Sequence, residues 1–286
     1  MKKIIVSTDT GSDLPPTLAE KHNVKIVPMH VIMDNVSYAD RSIPIDDLYD
    51  YYDRTNKVPS TSAVNVGEYI EFFRNIQSEY PGCVIMHLSF SSNASCTFQN
   101  AKIAAEGFKD VYIVDTHHVA GGLTAHIMKS IDIINSKGDD ITDYQALADE
   151  LAAISDKVHC SFMPGNLDYL KAGGRVSNAQ YLGAAILRLH PLIEIIDGYL
   201  VSTKKYRGSM DKILDKYMEE FISKSNMSRD CLYVLYSKGL SEEILTRVKE
   251  NSVKMGFKNC QYVQTGCVMT GHCGPGGLGF AGVEEI

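Results

Sequence analysis

The chain alternates short apolar runs with stretches whose apolar positions recur every three or four residues. Runs at 3–8 (KIIVST), 24–33, 83–88 (CVIMHL) and 111–115 (VYIVD) have the length and composition of buried strands. Periodic segments at 13–22, 44–52, 66–78, 97–108, 120–136 and 144–155 predict helices between and after them. Asp13 reads as the N-cap of the first, with Pro15 near its first turn. Asn65 with Glu68 forms a capping box ahead of the helix at 66–78, and Asp143 caps the one at 144–155. Residues 36–38 read as a short strand extension, and 57–65 as a polar loop. Strands alternating with helices predict βαβ units around a parallel sheet.

The pattern changes near residue 158. A short strand at 159–163 precedes a brief helix stopped by Gly173 and Gly174, and a further helix is expected over 177–189. Asp197-Gly198 between two β-rich runs is a hairpin signal. A helix at 209–225, a strand at 231–237, a helix at 241–255 and a strand at 260–264 complete a second α/β unit. The last segment, 270–282 (TGHCGPGGLGFAG), reads as a loop whose glycines allow close backbone approach. The expected fold is therefore α/β in two domains: residues 1–158 around a parallel sheet, and 159–286 around a unit containing the hairpin.

In an open parallel sheet, ligands bind outside the carboxyl ends of the strands. Four polar corners fall there, at 9–13, 59–65, 89–97 and 115–122, and can meet in one crevice. The richest carries Ser89, Ser91, Ser92, Asn93, Ser95 and Thr97 between a strand and a helix. Free N–H groups and the helix dipole favour an anion at such a turn. Capping alone needs one such side chain, so the turn reads as an oxyanion or carboxylate cradle. Thr61 and Ser62 join it only if their loop faces it; taken alone, that loop is a connector. His272 stands among glycines, which points to a functional contact rather than a surface histidine. Arg175 either compensates a helix C-terminus or serves an anion at the domain boundary. Lys204, Lys205 and Arg207 form a solvated basic face, or one that docks an acidic partner.

Composition narrows the function classes. A chain of 286 residues with 44% hydrophobic and 22% charged residues is an ordinary globular protein. Its net charge of −7 argues against general nucleic-acid binding. The opening MKKIIVSTDTG reads as a first strand rather than a signal peptide, and no apolar run reaches the roughly 20 residues of a spanning helix. A soluble cytoplasmic protein is expected. Its seven cysteines are irregularly spaced without a CxxC pair, so reduced thiols are expected. The nearest metal set is Cys267, His272 and Cys273, with His117-His118 elsewhere; adjacent residues rarely ligate one ion, and no metal is expected. P-loop, Rossmann and GxSxG signatures are missing from the sequence. A Ser92–His272 nucleophile pair lacks a third orienting residue.

Taken together, DTGSDL, TSAVNVGEY, SSNASCTFQNA, VDTHHVAGG, LDYLKAGGRV, HPLIEIIDGYL and GHCGPGGLG resemble the motifs of the DegV family. These are fatty-acid-binding proteins that include the FakB subunits of bacterial fatty acid kinase, and the resemblance runs nearly end to end. It implies two α/β domains clasping one long-chain fatty acid between them, with no other cofactor and no catalytic residue. By matching position, Thr61 and Ser92 would hydrogen-bond the carboxylate, helped by the N–H of Asn93, with Ser62 beside them and His272 near the same head group. A separate dihydroxyacetone-kinase-like subunit would phosphorylate the bound carboxylate to an acyl phosphate. Arg175, Lys204 and Arg207 would be candidates for facing that partner or its phosphate. Cys96 stands where the family often has Gly, Ala63-Val64 where it has Gln-Pro, and His190-Pro191 where it has Lys-Pro. Two other functions remain open: a hydrolase or acyltransferase using Ser92 and His272, and a lipid-responsive regulatory protein.

Overall fold

The computed structural model describes residues 2–176 and 189–285. The first half runs β1 (Ile4–Asp9), α1 (Pro16–Lys21), β2 (Lys25–Val27), β3 (His30–Met33), β4 (Val36–Ala39), α2 (Ile45–Thr55) and β5 (Ser60–Ser62). It continues through α3 (Val66–Glu79), β6 (Val84–Ser89), α4 (Thr97–Ala105), β7 (Val111–Asp115), α5 (Ala120–Lys137) and α6 (Tyr144–Ala153). The second half contains β8 (Val158–Met163), α7 (Leu167–Gly173), β9 (Leu189–Ile196), β10 (Tyr199–Arg207) and α8 (Met210–Ser223). It ends with β11 (Cys231–Tyr236), α9 (Glu242–Lys254), β12 (Asn259–Gln264), α10 (Cys267–Cys273) and β13 (Leu278–Val283).

The expected parallel sheet is present, in the order β2-β1-β6-β7. All six residues of β6 are buried, as a central parallel strand covered on both faces requires. The capping box forms as read: Asn65 Oδ1 accepts from Glu68 N at 3.0 Å, and Glu68 Oε2 accepts from Asn65 N at 2.8 Å. A second, six-stranded mixed sheet runs β10-β9-β8-β13-β11-β12. Its β9–β10 hairpin turns at Asp197 (φ 49°) and Gly198 (φ 79°), the left-handed pair that a two-residue hairpin turn demands.

α5 lies between the sheets, touching β6 on one side and β8, β11 and β13 on the other. Its first eight residues, Ala120 to Ile127, are all buried. Gly121 and Gly122 permit this depth, since added Cβ atoms would lie 2.5 Å from the Leu235 side chain and 2.8 Å from Cys160 Cβ. One hydrophobic core therefore runs from Ile5 and Ile85 through Leu123 to Ile193, Leu235 and Ala281. A second core, around Leu214, Tyr217, Val248 and Phe280, seats α8 and α9 on the far face of the mixed sheet.

Four expectations change. Asp13 does not cap α1, whose N-cap is Pro15; it sits at φ 52° and its carboxylate accepts from Gly266 N at 2.7 Å. The run at 24–33 breaks after Val27, so β2 joins the parallel sheet while β3 leaves it. Part of the polar loop at 57–65 is β5, which pairs with β3 in a three-stranded sheet ordered β4-β3-β5. The glycine-rich tail is not a loop: it holds the end of α10 and the central strand β13. A Cβ at Gly279 would lie 2.6 Å from Ser161 O, so glycine marks close strand packing there rather than a turn. The helix expected over 177–189 falls outside the described residues, except that Leu189 opens β9.

Candidate functional site

The carboxyl ends of β1, β6 and β7 form one edge. Asp9 Oδ2 there accepts from Phe90 N at 3.0 Å, and Thr116 Oγ1 donates to Ser89 O at 2.8 Å. Beneath this edge lies a cavity of about 310 Å³, lined by both halves of the chain. That size falls at the lower end of the roughly 300–1,000 Å³ typical of small-molecule pockets. Met29, Phe90, Val119 and Ala120 come from the first half, and Phe162, Leu170, Leu200 and Leu235 from the second. Cys160 and Cys273 line it as well; burial pushes both thiols up to about 12, so they act as small apolar groups.

The polar lining comprises Thr61 and Ser62 of β5, Ser95 just ahead of α4, Arg175 just after α7 and His272 of α10, with Tyr236, Ser237 and Thr265 on the wall from the second half. Thr61 Oγ1 and His272 Nε2 share a hydrogen bond at 3.0 Å. The opposite ring nitrogen, Nδ1, is buried and has no partner among the described residues. It lies against Gly173, where an added Cβ would stand 2.2 Å away. Burial first, and then the nearby Arg175 guanidinium, pushes the imidazole down to about 4, so the ring is neutral near pH 7. Arg175 itself is exposed at the mouth and donates from Nη1 to Gly173 O at 2.8 Å. A hydroxyl, a neutral imidazole and a guanidinium beside an apolar cavity form donors for an anionic head with a long apolar tail.

The turn at 89–97 divides its work. Ser91 is buried and donates to Gly198 O at 2.8 Å, while Asn93 Nδ2 donates to Asp197 O at 2.8 Å. These side chains hold the hairpin tip, and β10 in turn sends Leu200 into the cavity wall. Ser92 is exposed, with its N–H donating to Asp115 Oδ1 at 3.3 Å, and neither it nor Asn93 is part of the lining. Ala94, Ser95 and Cys96 are. Among the described residues no hydrogen bond joins Ser92 to His272, so the nucleophile pair is not assembled. Lys204 bonds Glu220 at 2.5 Å and lines a groove on another face, and Arg207 ends β10 exposed; neither lines the cavity. Of the departures from the family pattern, Ala63 and Cys96 line the cavity, whereas His190 shares a 3.1 Å bond with Gly208 O away from it.

Sequence reasoning missed two parts of the site. Ser95 was one hydroxyl among several, and only the path of the turn distinguishes it from Ser92. Gly173 read as a helix stop, yet its bare Cα seats the His272 ring.

The fold and cavity thus define an α/β protein with a partly open, mostly apolar chamber whose wall carries several hydrogen-bond donors. Residues 3–285 match the model of the uncharacterised DegV protein family, and the chain belongs to that family. A DegV domain-containing protein of Listeria monocytogenes is 28% identical, covering 98% of each chain. The solved structure of a DegV family protein from Thermus thermophilus, described for its fatty acid binding, superposes with a TM-score of 0.85 at 23% identity, covering 99% of this chain and 100% of that one. A hypothetical protein of Thermotoga maritima, whose structure reveals a fatty acid binding function, gives 0.83 at 22% identity over the whole of both chains.

Proposed function

We propose that this protein binds a long-chain fatty acid, buries its acyl tail between the two halves of the chain and presents the carboxylate at the mouth. The observation that carries this is the hydrogen-bonded Thr61–His272 pair in the wall of a mostly apolar cavity that Arg175 also lines. Thr61, Ser62, Ser95 and His272 hold the head group, and Arg175 supplies the cation. Ser92 and Asn93 support the cradle through the turn. Burying a methylene contributes about 0.8 kcal/mol, so a tail of roughly fifteen supplies on the order of 12 kcal/mol before ordering costs. A hydrogen bond to a charged group adds about 1.5–3 kcal/mol. The tail carries affinity, while the donors decide which end faces out.

In this reading the protein is a cytoplasmic carrier, and the chemistry belongs to a partner kinase that phosphorylates the exposed carboxylate. Arg175 at the mouth is placed to meet the incoming phosphate; Lys204 and Arg207 offer a docking face further off. The unassembled Ser92–His272 pair favours a carrier over a hydrolase. Two measurements test it. A fluorescent fatty acid should bind and be displaced by hexadecanoic acid. Adding a dihydroxyacetone-kinase-like fatty acid kinase and ATP should then yield acyl phosphate; binding without phosphorylation would leave a regulatory lipid-binding protein.

A further inference from the structure

Asp13 and Asp40 are buried carboxylates, 1% and 5% exposed, and both close on the start of α10. Asp13 Oδ1 accepts from Gly266 N at 2.7 Å, and Asp40 Oδ1 accepts from Val268 N at 3.2 Å. A Cβ on Gly266 would lie 3.0 Å from both Asp40 oxygens and 3.4 Å from Arg41 Nε. The second oxygens, Asp13 Oδ2 and Asp40 Oδ2, are buried with no hydrogen-bond partner among the described residues. One uncharged acceptor would cap a helix this short at far smaller desolvation cost. Burial raises both carboxyls above their ordinary range, which is the mark of that cost.

The other end of the same helix carries His272. Asp40 directly follows β4, Thr61 lies in β5, and both strands flank β3, with His30 opposite Ala39 on one side and Val31 opposite Thr61 on the other. One three-stranded sheet therefore holds α10 at its start through Asp40 and meets its last turn through Thr61. His272 lies six positions after Gly266, about 9 Å of helix rise. A helix of two turns moves as a unit, so a slip at its start is a slip at His272.

We infer that Asp13 and Asp40 are positioning residues for the head-group site: they set the register of α10 so that His272 Nε2 stays on Thr61 Oγ1. This rests on reading that site as a carboxylate cradle. The test compares hexadecanoic acid with hexadecan-1-ol, which shares the tail and lacks the charge. In Asp40→Ala, affinity for the acid should fall about tenfold while affinity for the alcohol changes less than about twofold. Asp40→Asn, which keeps an acceptor for Val268 N, should recover most of the loss. Gly266→Ala, which presses on the same carboxylate, should reproduce the selective loss and serves if Asp40→Ala does not fold. Acid and alcohol affinities falling together, or neither falling, would overturn the inference. The His272 ring resonances should also shift in the ligand-free variant, and unchanged resonances would equally overturn it. Wild-type protein that binds neither probe would instead refute the carboxylate reading, with those resonances still deciding the register claim.

Discussion

Thr61 Oγ1 and His272 Nε2 lie 3.0 Å apart although 211 positions separate them in the chain. The contact joins the edge of a small N-terminal sheet to the last helix of the protein. Thr61→Val keeps the shape and removes the hydroxyl, so affinity for a fatty acid should drop roughly 10–100-fold, one charged hydrogen bond's worth. Displacement of a fluorescent fatty acid checks this; an unchanged affinity would remove Thr61 from the cradle.

Gly173→Ala tests the seat of the imidazole. The new methyl would stand 2.2 Å from His272 Nδ1, so the ring must turn away from Thr61. Alanine favours a helix over glycine by about 0.5–1 kcal/mol, which offsets part of the strain in α7. The expected variant is folded by circular dichroism yet binds fatty acid at least several-fold more weakly. Unaltered binding would show that the ring orientation does not matter.

Ser95 and Ser92 separate placement from proximity in sequence. Ser95 lines the cavity; Ser92 is exposed and outside the lining. In calorimetric titration with fatty acid, Ser95→Ala should lose more affinity than Ser92→Ala. The reverse order would move the head group outward along the turn.

His87 gives a pH signature of the fold itself. It is fully buried, edge-on to Tyr69 and Phe73, with Nδ1 3.0 Å from Ser7 Oγ, and burial pushes it down to about 3. The unfolded chain titrates near 6.5. A depressed folded value means the histidine's stabilising share is present above about 6.5 and is lost as pH falls toward about 3. By about pH 5 the loss is roughly 2 kcal/mol, at ~1.4 kcal/mol per unit. Urea unfolding of wild type should weaken by about that much more than His87→Phe between about pH 7 and 5. Parallel losses in the two proteins would place the acid sensitivity elsewhere.

Much of this molecule is legible in its sequence, and the losses have physical causes. The strands of the parallel sheet, the Asn65–Glu68 box and the Asp197-Gly198 hairpin are local signals, decided by residues a few positions apart. β13 was hidden because glycines chosen for close packing look like glycines chosen for turns. β5 was hidden because Ser60, Thr61 and Ser62 form a strand only where β3 offers an edge. Asp13 read as a cap for the helix beside it and instead grips one more than 250 positions away. The same holds at the site: the hydroxyl-rich turn was visible, but Ser91 and Asn93 hold the hairpin, and only the folded path brings Ser95 to the cavity.

The central claim is that the cavity holds a fatty acid. Mass spectrometry of an organic extract of the purified protein, after incubation with a mixture of long-chain acids and removal of unbound lipid, tests it most directly. The account predicts about one equivalent of fatty acid per chain, reduced in Thr61→Val. Extracts without fatty acid, from protein shown to be folded, would contradict it.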